Sequence, residues 1–116
     1  MSDAVARNDY VIGRITDLRA GKGDFTGLKK PSALVMDRVA DTVAALLREH
    51  TPTPSVVPTE DGNVAVIWRG RGWDLEVEVS ETETEVWAHE RATGQEFSGP
   101  LAEMEAWTLD LLRKLA

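Results

Sequence analysis

The sequence predicts an α+β fold, an antiparallel three- to four-stranded meander with one face covered by helices. Three observations carry this. Trp73, Leu75, Val77 and Val79 alternate with Asp74, Glu76 and Glu78, the period of a strand with one apolar and one charged face. Two segments with helical periodicity bracket that region. The strands between them are joined by turn signals too short for parallel crossovers.

Taken in chain order, Val11, Ile12, Ile15 and Leu18 are spaced for one face of a helix over about 4–20, with Asp3 or Asn8 as starts and Gly21 as a stop. Gly13 weakens that pattern, and the stretch from Asp9 to Ile12 also reads as a short strand. Gly21 to Lys30, with three glycines and three lysines, reads as a loop. The division that follows is an N-terminal segment, 1–30, ordered only in part, and a single α+β domain, 31–116.

A helix is expected over about 32–50. Val35, Val39, Val43, Leu46 and Leu47 form its apolar stripe, Pro31 sits in its first turn, and Thr51-Pro52-Thr53-Pro54 ends it beside His50. From there to Pro58 the prolines predict an extended, polyproline-like connector.

The meander follows, with strands expected over about 63–69, 73–80, 85–90 and 95–98. Gly70-Arg71 has the chemistry of a type II′ hairpin turn. That turn sets Trp68 opposite Trp73 and Val66 opposite Leu75, with Ile67 and Ala65 on the acidic face. A turn at Thr82-Glu83 then sets Val77 opposite Ala88, Glu76 opposite His89 and Asp74 opposite Arg91. The last strand sets Phe97 opposite Ala88 and Glu96 beside His89. A final helix over about 100–115 begins at Pro100 and carries Leu101, Met104, Trp107, Leu111, Leu112 and Leu115 on one stripe. Its acids lie early and its cations late, as the helix dipole favours.

Charge narrows the function. The chain has 116 residues, a net charge of −7 and no cysteine. Residues 1–58 are nearly balanced, with eight cationic and seven anionic side chains, whereas 59–116 hold five and thirteen. Seven acids and no Lys or Arg fall between Asp74 and Glu90. Binding to a phosphate backbone needs clustered cations, so no nucleic-acid partner is expected. No apolar run is long enough to span a membrane, and residues 1–7 carry no apolar h-region, so no leader is expected. Without cysteine there are no disulfides or thiolate metal sites. A cytoplasmic location is expected.

No motif brings catalytic chemistry. Gly21, Gly23 and Gly27 are spaced wrongly for a dinucleotide loop, and no serine sits in a nucleophile elbow. His89 between Glu76 and Glu96 has the residue types of a carboxylate-oriented base or a metal site, and equally those of a cross-strand ion pair. Asp37 and Asp41, at i, i+4 spacing, read as a solvated helix face. No catalytic residue, metal or cofactor is assigned. Trp68, Trp73 and Trp107 take core positions, but Trp87 falls on the acidic face. For Trp87 three readings stand open: an interface anchor, burial under the N-terminal segment, or a bulge that turns it inward.

The stretch from Pro52 to Trp68 (Pro-Thr-Pro-Ser-Val-Val-Pro-Thr-Glu-Asp-Gly-Asn-Val-Ala-Val-Ile-Trp) resembles small uncharacterised bacterial proteins. In those, a Pro-x-Pro-x-x-x-Pro-Thr-x-x-Gly segment leads into a strand ending in Trp. The resemblance spans roughly Val35 to Glu90 and implies a bacterial accessory or antitoxin-like role. It implies no activity and assigns no functional residue.

The expectation is a small acidic bacterial protein-interaction module, antitoxin-like or inhibitory, and not an enzyme. It would meet a basic partner surface through Trp87, Glu76, Glu78, Glu81, Glu83, Glu85 and Ile67. The alternatives are a homodimeric plasmid or prophage accessory protein without catalytic activity, joined through Ile67, Ala65 and Trp87, and an enzyme or metal protein centred on His89.

Overall fold

The strands and helices arise where local pattern and turn chemistry agree, and their order in the computed structural model is ααβββββα. The structure describes residues 3–22, 28–48 and 50–116, with side chains from Asp9 onward. The loop expected over Gly21–Lys30 lies partly, at 23–27, outside the described residues.

The first helix, α1, spans Asp3–Arg19, so the strand alternative for Asp9 to Ile12 does not form. Val11, Ile15 and Leu18 are buried, while Ile12 is 60% exposed. At about 100° per residue Ile12 stands well off the stripe of the other three, which corrects the four-residue face. Gly21, at φ 73°, ends the helix as expected, with the Lys22 N–H donating to the Asp17 carbonyl at 2.8 Å.

The second helix, α2, is shorter than expected, spanning Ala33–Leu46. Its N-cap is Ser32, whose hydroxyl accepts from the Val35 N–H at 3.2 Å, so Pro31 precedes the cap instead of occupying the first turn. It stops at Leu46 because Leu47 is already extended and the Thr51 hydroxyl takes the Arg48 N–H at 2.8 Å, turning the chain before Pro52. His50 therefore lies beyond the helix.

Five antiparallel strands follow in the order β1-β2-β3-β4-β5. They are β1 (Ser55–Pro58), β2 (Val64–Gly70), β3 (Trp73–Val79), β4 (Thr84–Glu90) and β5 (Gln95–Pro100). Strand β1 replaces the expected polyproline connector. Its prolines confine it to the sheet edge, and the alternation around Val56, which is 1% exposed, lets it pair with β2.

The first hairpin turn is Arg71-Gly72, not Gly70-Arg71. Arg71 has φ 51° and Gly72 φ 83°, two left-handed residues as a type I′ turn requires. The register moves by two residues, so Trp68 faces Leu75, Val66 faces Val77 and Ile67 faces Glu76. A shift of two keeps every side chain on its expected face and adds the Gly70–Trp73 pair to the ladder. Because Gly72 sits where a Cβ is strained, Gly72→Ala is expected to lower unfolding stability by about 1 kcal/mol in urea titration.

The second hairpin also differs by two residues: Val77 faces Val86, Leu75 faces Ala88, Glu76 faces Trp87 and Asp74 faces His89. The longer Ser80–Glu83 loop causes this. The Ser80 hydroxyl accepts from the Thr82 and Glu83 N–H groups at 3.3 and 3.0 Å. Its other anchor is Arg38 of α2, which donates to the Ser80 carbonyl at 2.8 Å and to the Thr84 hydroxyl at 3.0 Å. The last hairpin keeps the expected register, with Ala88 opposite Phe97 and His89 opposite Glu96.

Helix α3, Leu101–Leu115, starts one residue late because Pro100 ends β5 and stands as the N-cap. The three helices pack on one face of the sheet: α1 on β1, α2 on β2 and β3, and α3 on β4 and β5. The inward residues Val56, Val64, Val66, Trp68, Leu75, Val77, Val79, Val86 and Ala88 form one core with the helix stripes. Trp73, Phe97 and Trp107 close its end as an aromatic cluster, with ring centroids 5.1–6.2 Å apart. No described helix is long and apolar enough to cross a membrane. None of the described helices packs on the opposite face of the sheet.

Candidate functional site

Strand alternation places the outward residues of five strands in three rows across the uncovered face. One row runs Arg69, Asp74, His89, Glu96. The next runs Ser55, Ile67, Glu76, Trp87, Ser98. The third runs Val57, Ala65, Glu78, Glu85, Pro100.

Together with Arg91, just past the end of β4, the first row balances its own charge. Asp74 gathers Arg69 Nε at 3.6 Å, Arg91 Nε at 3.5 Å and His89 Nδ1 at 3.5 Å, the last an ion pair only when the imidazole is protonated. The two-residue shift thus gives Asp74 both partners that the sequence divided between Asp74 and Glu76. Glu76 lies one row away, so the expected Glu76–His89–Glu96 trio does not assemble. Among the described residues no group of three or more His, Cys, Asp or Glu is placed to hold a metal.

Trp87 points to the acidic face without a bulge, and α1 packs against α2 and β1 instead of over it. It is half-buried, stacked on His89 with centroids 5.9 Å apart and planes at 20°, and its indole N–H reaches Glu96 Oε1 at 3.3 Å. The ring is therefore fixed from one side by the balanced row.

On its other side lies the uncompensated charge. Glu78 and Glu85 stand directly opposite each other, and Glu76 lies between Ile67 and Trp87. Among the described residues no Lys, Arg or His comes within 4 Å of the Glu76, Glu78, Glu83 or Glu85 carboxylates. Among the described residues Asn63 is joined to them, its amide donating to Glu78 Oε2 at 3.0 Å. Asn63, Glu76, Glu78, Ser80, Glu83, Glu85 and Trp87 together line an open concavity of about 410 Å³. Opposed carboxylates destabilise a strand pair by a few tenths to about 1 kcal/mol. Chemically this is an anionic hollow beside an aromatic ring, suited to ammonium or guanidinium groups.

Of the residues singled out in the sequence, the structure brings Glu76, Glu78, Glu83, Glu85 and Trp87 together, with Ile67 adjoining Glu76. Glu81 is set apart: it lines a neighbouring depression with Lys29 and Lys30. The alternation that puts Ile67 and Ala65 on the acidic face also puts Asn63 there, opposite Glu78 in the expected register, and the structure joins the two. Ser80 is not legible in the sequence, because it sits at a strand end where register decides what it faces. Val57 is not legible either, because β1 reads as a connector; the paired β-branched Val56-Val57 was the available signal. Asp37 of the helical carboxylate pair meets Arg19 at 2.8 Å on the exposed surface, away from the hollow.

Comparison with protein-family models, with curated proteins and with solved structures returns no match to this chain.

Proposed function

We propose that this chain is a protein-interaction module that binds a partner with a basic surface through the uncovered acidic face of its sheet, in the manner of an antitoxin-like or inhibitor protein of the bacterial cytoplasm. One observation carries the reading: Glu78 and Glu85 oppose each other without a counter-charge beside the half-buried Trp87. Selection for stability alone favours an opposite-charge pair there. A cationic partner surface supplies the missing charge, and Trp87 with Ile67 supplies an apolar anchor ringed by polar groups. The cysteine-free sequence suits a reducing compartment.

The test is capture from host lysate by the tagged protein, with the bound protein identified. Glu76→Lys, Glu78→Lys and Glu85→Lys combined are expected to abolish capture of the partner. Trp87→Ala is expected to weaken it by at least about tenfold. Capture by the unaltered protein is expected to fall as salt rises from about 0.05 to about 0.5 M. Undiminished capture by the triple variant contradicts the reading.

A further inference from the structure

The two edges of the sheet are built differently. Strand β1 is four residues long and is bracketed by Pro54 and Pro58. Its outer side is capped by α1, where Arg14 Nε donates to the Val56 carbonyl at 2.9 Å. These are the usual protections of an edge. Strand β5, at the far edge, has six residues, Gln95-Glu96-Phe97-Ser98-Gly99-Pro100. It carries no Lys or Arg and no proline before its last position. It pairs with β4 alone, and none of the described residues pairs with its outer side.

We propose that β5 pairs antiparallel with β5 of a second copy of this chain, about a twofold axis through Phe97, making a continuous ten-stranded sheet. The side chains select this occupant and register. A twofold axis normal to the sheet keeps inward residues opposite inward residues, so it must pass through a residue of the strand. Centred on Glu96, it would oppose two carboxylates. Centred on Ser98, it would set Glu96 against Pro100, which has no N–H for the ladder. Centred on Phe97, it sets Glu96 against Ser98 and Gln95 against Gly99, with no like charges opposed, and it joins the two half-exposed phenylalanines on the helix side. The contact is small, below the roughly 1,200 Å² typical of stable complexes, so the dimer is a weak one. This pairing is independent of the acidic-face reading, and it places two acidic faces side by side on one sheet, a bivalent surface.

Sedimentation equilibrium of the intact chain from about 1 μM to about 1 mM tests this. A concentration-dependent dimer is expected. Ser98→Glu, at an exposed position, opposes two Glu–Glu pairs across the axis and is expected to weaken association at least about tenfold. Adding Glu96→Lys to Ser98→Glu opposes Lys to Glu twice and is expected to restore association to within about threefold of the unaltered chain. A monomer at every concentration overturns the proposal. So does a dimer that Ser98→Glu leaves intact, including one dissolved instead by Ile12→Arg, which lines the apolar groove between α1 and α2.

Discussion

Trp68→Ala is expected to lower unfolding stability by about 3–5 kcal/mol, the largest loss expected from any single substitution considered in this chain. The side chain is 3% exposed on the inner face, between Leu75 of β3 and the helix layer. Truncation opens a large cavity and also strips the Pro52 carbonyl of the indole N–H that reaches it at 2.7 Å. That hydrogen bond ties the segment before β1 to β2, so the β1 edge should loosen with the core. Trp68→Phe keeps most of the volume and loses the hydrogen bond, and should cost about 1–2 kcal/mol. Urea titration of the two variants separates packing from the tie. Since small domains are stable by only about 5–15 kcal/mol, Trp68→Ala should also lower the melting temperature by on the order of 10–20 °C.

The fold was legible where periodicity and burial act over many residues. Alternation along β3 and the helical stripes of α2 and α3 fixed layers and faces, and the small Ala88 beneath Phe97 set the last hairpin correctly. What escaped depends on turn geometry within two or three residues. Gly70 and Gly72 both permit left-handed conformations, and only the tertiary structure shows that Arg71 accepts φ 51° so that the strands can extend to Gly70 and Trp73. A two-residue error leaves the face pattern intact, which is why alternation alone could not detect it. For the site the same error mattered more. It determines whether Asp74 or Glu76 meets His89, and so which carboxylates lack a counter-charge. Strand β1 was hidden because prolines at 54 and 58 signal a connector as strongly as an edge strand.

Those carboxylates without a counter-charge carry the proposed function, and they imply a trade between stability and binding. Glu85→Lys places a cation opposite Glu78 and is expected to raise stability by about 0.5–1 kcal/mol, or roughly 2–6 °C in melting temperature. The same change puts a positive charge into the hollow beside Trp87 and is expected to weaken partner binding at least about tenfold, chiefly through repulsion of the basic surface. A residue retained for the fold would behave in the opposite way, since replacing it would lose stability first. Asp74 offers the contrast: with three basic groups around it, Asp74→Lys should destabilise the sheet.

The most direct measurement of the central claim is therefore made on one preparation of Glu85→Lys: thermal unfolding, and affinity for the partner that the unaltered protein captures. A higher melting temperature together with lost binding is expected. A melting temperature that falls, or full affinity retained, would contradict a binding role for Glu85.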